Sequence, residues 1–354
     1  MTTTTVEPKI SDGMPVEIGK IDRELKKLWA EGGGAMARAS LINLAIYSEE
    51  AGSLAANTDL IAKITEEHAC RAIVISANPA AKENRVEAWV SAHCHVSQAG
   101  SKHICSEQLS FLLEGPCTNL LPSIVFSHLD SDLPFYLWWQ GEFHHPMDPQ
   151  LWAWVDRLIY DSHLWLDFNA QMQRVETAQD EAKQRVVLCD LNWTRIVQIR
   201  LALAQFFDHP ASHRLFADID GVEIEYAPSC RSTAVLLAGW LAAQLHWEAA
   251  SGRDDRDFTF QSASGKKIKA ILREKEGEPI SRCAVHCGRT RFVVDHAADG
   301  DLLEVTVVTQ NKTRLHQLMP AGCNEGVGLM NEELMRGGPH RVYMRALNCV
   351  RTLL

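Results

Sequence analysis

The chain has 354 residues, of which 46% are hydrophobic and 23% charged. This length favours two domains, and the composition is typical of a globular protein and excludes wholesale disorder. Acidic residues outnumber basic ones by 45 to 35, giving a formal net charge of -10, so charge provides no reason to expect a nucleic acid or an anionic membrane as partner.

The N-terminal residues lack the features of a membrane or secretory segment. No apolar run reaches the roughly 20 residues that span a bilayer, and "MTTTTVEPKISDG" has no apolar signal region. We therefore expect a cytoplasmic protein whose residues 1–17 are flexible. Its ten cysteines are not expected to form a permanent disulfide framework, which leaves buried thiols, metal ligands or a redox switch.

Residues 18–170 begin with an alternation of helices and strands, which predicts an N-terminal α/β domain. Apolar residues at helical spacing from Ile18 to Trp29 predict a helix, and residues 59–69 predict a second. The segments "ASLINLAIYSE" and "RAIVISANP" predict strands, and "RVEAWVSAHCHVS" with "KHICSEQLSFLLEG" predicts a β-hairpin.

The rest of this domain is predicted to alternate in the same way. Residues 122–129 predict a helical turn, and "LPFYLWWQG" is apolar on both faces, which is typical of an interior strand. The segment "DPQLWAWVDRLIYDSHLWLDF" predicts a helix that begins at Asp148 and Pro149. The polar stretch over residues 171–185 predicts a linker.

Residues 186–354 are predicted to form a C-terminal α+β domain. The segment "VVLCDLNWTRIVQIRLALAQFFDHP" predicts mostly helix, followed by a strand "GVEIEYAP" and a helix "STAVLLAGWLAAQLHWEAA". Alternating segments from "DFTFQS" to "TRFVVDHAADGDLLEVTVVTQ" predict an antiparallel meander, and a last helix ends the chain. The predicted fold class is α/β or α+β, with two domains that are each a mixed sheet covered by helices.

No motif in the sequence predicts a catalytic, cofactor or metal site. The glycine-rich "EGGGAMARAS" precedes a strand, whereas a phosphate loop follows a strand and opens a helix. The G-x-S-x-G, H-E-x-x-H and kinase patterns are also absent. These absences argue against hydrolase and phosphotransferase chemistry without excluding an enzyme of another pattern, and we expect a protein that holds no cofactor.

Two pairs of cysteines are candidates for redox chemistry. Counting outward from the hairpin loop places Cys94 nearly opposite Cys105, at a separation close to that of a disulfide, so a reversible disulfide is an alternative to a buried thiol. Cys283 and Cys287, in "CAVHC", would lie about 13 Å apart on a strand, whereas a turn would bring them together as a redox or metal pair.

At "DLNWTR" and its continuation the sequence resembles the glucose-6-phosphate dehydrogenase assembly protein family, OpcA. The segments "ARASLINLAIY", "LPFYLWWQG" and "LLAGWLAAQLHW" fit the same family and occur in the expected order. The resemblance extends from about Ile18 to the end of the chain. The sequence departs from the family form at Gln198 and Ile199, just before Arg200.

The resemblance implies a non-catalytic partner of glucose-6-phosphate dehydrogenase that promotes its active oligomer or raises its affinity for glucose 6-phosphate. It also implies a link to thioredoxin-dependent redox control of the oxidative pentose phosphate pathway, for which Cys94, Cys105, Cys283 and Cys287 are candidates. Two alternatives are a sugar-phosphate-binding enzyme with a site between its domains and a zinc-binding structural protein.

The segment "DLNWTRIVQIR" is expected either to pack its own domain or to contact the dehydrogenase. Asp190 is placed to cap a helix, and Trp193 fits a packing stripe. Arg195 and Arg200 can pair with carboxylates, and Asn192 completes the set of candidate residues.

Overall fold

The computed structural model describes residues 13–31, 36–96, 103–144, 148–182, 186–208, 213–250, 257–298, 300–310, 312–337 and 340–353. Contacts divide the chain into two compact units. The first unit comprises Met1–Trp165, Ala170–Cys189 and Gly326–Gly338, and the second comprises Leu166–Asn169, Asp190–Glu325 and Pro339–Leu354.

The elements of the described residues are numbered in chain order. The strands are β1 Met14–Val16, β2 Met36–Arg38, β3 Ile42–Ser48, β4 Cys70–Asn78, β5 Arg85–Val96, β6 His103–Glu114, β7 Phe135–Gln140, β8 Arg157–Tyr160, β9 Val187–Asp190, β10 Ile219–Tyr226, β11 Glu248–Ala249, β12 Asp257–Gln261, β13 Lys267–Glu274, β14 Ile280–Cys287, β15 Thr290–His296, β16 Leu302–Thr309 and β17 Lys312–Pro320. The α-helices are α1 Ile21–Glu31, α2 Ser53–Ile64, α3 Leu121–His128, α4 Pro149–Trp152, α5 Phe168–Ala182, α6 Leu191–Arg195, α7 Val197–Asp208, α8 Arg231–Leu245, α9 Gly326–Met335 and α10 Arg341–Leu353.

The first sheet runs in the order β1-β5-β6-β4-β3-β7-β8-β9, with β2 also paired to β6. Strands β6, β4, β3, β7 and β8 pair in parallel, while β5 pairs with β6 and β1 with β5 in antiparallel fashion. Counted along the chain, the parallel strands together with β9 follow the order 3-2-1-4-5-6 of a doubly wound sheet. In such sheets the strand order reverses at a switch point, which here lies between β3 and β7.

Burial explains why these segments form interior strands. Strand β3 is buried at every position from Asn43 to Ser48, as expected for a parallel strand that is covered on both faces. Helix α2 packs on β4 and β6, and α9 packs on α2. The prediction that "LPFYLWWQG" forms an interior strand is confirmed, because β7 lies between β3 and β8 with Trp138 and Trp139 both buried.

Three predictions for this part of the chain need correction. Within the supposedly flexible residues 1–17, Met14–Val16 form β1 on β5, while residues 1–12 lie outside the described residues. The helix predicted over 59–69 starts earlier, at Ser53. The helix predicted from Asp148 has the expected cap, a 2.7 Å hydrogen bond from the Gln150 amide, but ends at Trp152, and the fully buried strand β8 follows.

The linker predicted over residues 171–185 is instead largely helical. Helix α5 covers this stretch as far as Ala182, and residues 183–185 lie outside the described residues. The buried side chains of Met172, Val175 and Ala178 follow one another at helical spacing. This narrow apolar stripe is sufficient to anchor the helix although most of its residues are polar.

The second sheet runs in the order β11-β12-β13-β10-β14-β15-β16-β17. Most pairs are antiparallel, as the predicted meander requires, but β10 lies between β13 and β14 and pairs in parallel with β13. The sheet is therefore mixed, and the predicted α/β or α+β class is confirmed. One face is covered by helices, with α8 on β10 and β13 and α7 on β15.

Helices α8 and α10 cross closely, and a glycine permits this approach. A Cβ atom built on Gly239 would lie 2.6 Å from Val350 Cγ2 and 3.1 Å from the Ala346 carbonyl oxygen. Any larger side chain would force the two helices apart. No helix of the described residues is both long and apolar enough to cross a membrane.

Candidate functional site

Cys94 and Cys105 are joined by a disulfide across β5 and β6. The register places the two residues directly opposite each other, with their Cα atoms 4.1 Å apart. Cys94 is exposed, whereas Cys105 is fully buried. Thiol–disulfide exchange requires direct access of a thiolate to one sulfur, and Cys94 is the more exposed of the two residues.

A buried charge cluster lies two residues from Cys105 on the same face of β6. The carboxylate of Glu107 accepts a hydrogen bond from the indole N–H of Trp29 and lies 3.2 Å from Arg38 and 3.6 Å from Arg71. Arg38 is also the partner of Cys105 in the register between β2 and β6. The disulfide and the charge cluster are therefore neighbours on the same face of the sheet.

The histidines beside Cys94 do not converge with it on a metal. His93 and His95 project from the opposite face of β5, where His95 is hydrogen-bonded to Thr65 at 3.2 Å and His93 to Gln108 at 2.8 Å. The third member of "HCH", Cys94, is held in the disulfide. Strand alternation therefore separates the sulfur from the two imidazoles.

The other cysteine pair lies on a single strand. Cys283 and Cys287 are free thiols on β14, four residues apart, so no turn brings them together. Both are buried, and burial raises the pKa of each thiol to about 12. Such thiols carry little thiolate near neutral pH and are poor nucleophiles and poor metal ligands.

The segment "DLNWTR" forms the corner between β9 and α7. Asp190 caps α6 by accepting a 2.9 Å hydrogen bond from the amide of Asn192. The second oxygen of the same carboxylate accepts a 3.1 Å hydrogen bond from the hydroxyl of Tyr343 on α10. The predicted cap is therefore present, and the partner Tyr343 could not be found from the sequence because it lies 153 residues away.

The remaining residues of this segment also face into their own unit. The side-chain carbonyl of Asn192 accepts hydrogen bonds from Thr233 at 2.7 Å and from Arg195 at 3.2 Å. The guanidinium of Arg200 stacks on the indole of Trp193, with Cζ 3.4 Å from the ring centroid, and donates to the Trp193 carbonyl. Asp190, Asn192 and Trp193 are at most 3% exposed, so these contacts favour packing within the unit.

The carboxyl edge of the first sheet carries a cluster of aromatic side chains that sequence reasoning missed. The rings of Tyr47 on β3 and Trp139 on β7 lie 4.0 Å apart, and Phe143 lies 5.3 Å from Trp139. Tyr160 and Trp165 extend the cluster, stacked on each other at 4.8 Å. The local sequence signal that could have indicated this cluster is the pair Trp138 and Trp139, followed closely by Phe143.

This edge is where doubly wound sheets hold their ligands, at the switch point between β3 and β7. Here an amide pair crosses the switch point, because Asn57 donates to Gln140 at 2.9 Å and Gln140 donates back at 2.8 Å. The loop from β3 to α2 carries Glu49 and Glu50, which bring negative charge to the position of a bound phosphate. These residues do not fit a dinucleotide.

Comparison with known proteins identifies two matching family models. One, described as the glucose-6-phosphate dehydrogenase subunit N-terminal domain, matches residues 61–177. The other, described as the C-terminal domain of the same subunit, matches residues 186–347. Together they cover well over half of the chain.

Two cyanobacterial proteins named OxPP cycle protein OpcA are similar to the chain. The Synechocystis protein is 26% identical over 192 residues, which are 53% of this chain and 39% of the relative. The Synechococcus elongatus protein is 23% identical over 320 residues, which are 82% of this chain and 69% of the relative. The first match therefore spans less than half of the relative's length.

Among solved structures, an oxidoreductase domain protein from Kribbella flavida has a similar fold. Its TM-score is 0.51 at 10% sequence identity, over 89% of this chain and 96% of that chain. At this identity the likeness concerns the fold alone. The two family models account for both parts of the chain, which therefore belongs to the glucose-6-phosphate dehydrogenase subunit family, OpcA.

Proposed function

We propose that this protein is a non-catalytic assembly factor and allosteric activator of glucose-6-phosphate dehydrogenase. The proposal rests on the two family models, which are both described as parts of a glucose-6-phosphate dehydrogenase subunit. The side chains that fill the carboxyl edge of the first sheet support a non-catalytic role. The likeness to an oxidoreductase does not argue for an enzyme, since it concerns the fold alone.

An activator must bind the active state of its partner more tightly than the inactive state. The shift in the dehydrogenase equilibrium equals this difference in binding free energy, typically about 1–3 kcal/mol. Such a coupling raises the apparent affinity for glucose 6-phosphate by roughly 5- to 150-fold. No group of the activator has to take part in the chemical step.

We further propose that the redox state of the Cys94–Cys105 disulfide controls activation, with thioredoxin as the reductant. A thioredoxin thiolate attacks the exposed sulfur of Cys94, and Cys105 leaves as a thiolate that takes up a proton. The second thiol of thioredoxin then attacks the mixed disulfide, so Cys94 is released and thioredoxin carries the disulfide. Reduction removes the covalent link between β5 and β6 next to the Glu107 cluster.

Steady-state kinetics of the cognate dehydrogenase, with and without this protein, test the proposal. We expect the apparent KM for glucose 6-phosphate to fall, and mass photometry to show a shift towards the larger dehydrogenase oligomer. Unchanged kinetics together with an unchanged oligomer distribution, in both redox states, would exclude the proposed function.

The redox part has its own test in the same assay. We expect the wild-type protein to activate differently before and after treatment with thioredoxin, and the Cys94→Ser/Cys105→Ser variant to respond identically in both conditions. Cys323→Ser is the matched control, because Cys323 is an exposed free thiol that should leave the difference intact. A redox difference that persists in the double variant would place the switch elsewhere.

A further inference from the structure

The switch point of the first sheet marks the place where a dinucleotide would bind. In folds with this strand order, the loop after the first strand holds the diphosphate against the start of the following helix. Here that strand is β3, the helix is α2, and the loop comprises residues 49–52. The fit of a dinucleotide can therefore be judged from the residues at this position.

The loop does not offer what a diphosphate requires. Counted from the last residue of β3, the spacing G-x-G-x-x-G falls on Ser48, Glu50 and Ser53. The amide of Glu50 already donates to the Ser48 hydroxyl at 3.3 Å, and the amide of Ser53 donates to the Glu50 carbonyl at 3.2 Å. Two amides that would face the phosphates are thus bonded within the loop, beside two carboxylates.

The crevice beyond the loop is closed by side chains. Asn57 on α2 and Gln140 at the end of β7 satisfy each other's amide groups with two hydrogen bonds. Asn57, Tyr47 and Trp139 are 2%, 4% and 6% exposed, respectively. The Ser53 hydroxyl is hydrogen-bonded to that of Ser76 at 2.9 Å, which ties the start of α2 to β4.

We infer that side chains with a structural role fill the position at which this fold binds a dinucleotide, so that the first unit binds neither NADP⁺ nor NADPH. The Asn57–Gln140 pair joins α2 to β7 across the switch point, and the contact between the Tyr47 and Trp139 rings joins β3 to β7. Their contribution is to the stability of the unit and not to ligand recognition. This inference is independent of the dehydrogenase as partner.

Two measurements on the full chain test the inference. The first is the melting temperature with NADP⁺ or NADPH added to about 1 mM, a concentration that would raise it measurably for any dissociation constant below about 0.1 mM. The second is energy transfer from tryptophan to bound NADPH. We expect no change in either, while an NADPH-binding dehydrogenase responds in both.

Variants then test the structural role of the amide pair. We expect Asn57→Ala and Gln140→Ala each to lower the melting temperature by roughly 2–6 °C, because the partner amide is left unpaired. Gln173→Ala, an exposed glutamine on α5, should change it little. Saturable binding of either nucleotide by the wild-type chain would overturn the inference, and so would Asn57→Ala and Gln140→Ala variants as stable as Gln173→Ala. The binding test uses only the wild-type chain and therefore does not depend on whether a variant folds.

Discussion

Thr233 donates a 2.7 Å hydrogen bond from its hydroxyl to the side-chain carbonyl of Asn192, and neither residue is exposed to solvent. This bond ties α6 to the start of α8, next to the cap that Asp190 supplies. The side chains of Asp190 and Asn192 in "DLNWTR" are therefore used for contacts within their own unit.

We expect Asn192→Ala to lower the free energy of unfolding by about 2–3 kcal/mol, because it leaves the buried hydroxyl of Thr233 without this acceptor. Urea denaturation checks the value. Ser232→Ala is the matched control, since its 3.5 Å contact with Asn192 is long and should contribute less than about 1 kcal/mol. A normally stable Asn192→Ala protein that no longer activates the dehydrogenase would instead place this segment in the interface.

Reduction of the disulfide should destabilise the first unit. Cys94 and Cys105 are 11 residues apart in sequence, and closing a loop of this size in the unfolded chain corresponds to about 3 kcal/mol. We expect urea unfolding of the wild-type protein to shift by this amount on addition of reductant. The Cys94→Ser/Cys105→Ser variant should unfold at the same urea concentration with and without reductant.

Removal of the buried charge of Glu107 should be costly. Glu107→Gln leaves Arg38 and Arg71 without their shared carboxylate, and we expect a loss of about 3 kcal/mol in unfolding free energy. Glu87→Gln breaks the half-exposed pair with Arg85 and should cost at most about 1 kcal/mol. Equal effects of the two substitutions would show that the Glu107 cluster contributes no more stability than the half-exposed pair.

The imidazole of His128 should make stability depend on pH. Its ring is buried and stacks on Phe111, and burial lowers the pKa of His128, with Asp22 opposing the shift and Arg71 adding to it. A lowered pKa in the folded state means that stability is complete above the unfolded pKa of about 6.5 and is lost as the pH falls through the folded pKa. We expect His128→Phe to flatten the decline in melting temperature between pH 7.5 and 5.

The crossing of α8 and α10 should not tolerate a methyl group. We expect Gly239→Ala to cost about 1–3 kcal/mol, because its Cβ atom would lie within 2.6 Å of Val350. Gly326→Ala is the matched control, since Gly326 is also helical and a Cβ atom there meets nothing within 4 Å. Thermal unfolding of the two variants should separate them clearly.

Local patterns were sufficient for some features. The hairpin of β5 and β6 and the facing positions of Cys94 and Cys105 follow from strand alternation and loop length alone. The segment after Asp148 was assigned wrongly because Leu158 and Ile159 suit a buried strand as well as a helix. Only the neighbouring strand β7, which pairs with them, decides between the two.

Other features depend on residues far apart in the chain. The insertion of β10 between β13 and β14 and the bond from Tyr343 to Asp190 leave no local trace in the sequence. The same is true of the aromatic cluster, whose members come from the ends of three strands and from the segments that follow them. Pattern and spacing predict elements, and long-range pairing determines which side chains meet.

Helix α9 lies more than 130 residues beyond the preceding segment of its own unit, yet it packs on α2. During synthesis, α9 can therefore dock on α2 only after all of the intervening segment, Asp190–Glu325, has been made. Helix α9 packs on α2 and is the last segment of the first unit along the chain. A truncation before Gly326 therefore removes part of the first unit as well as the C-terminal segment of the second. A shortened chain that stops at the boundary between the two family models would for the same reason lack α9.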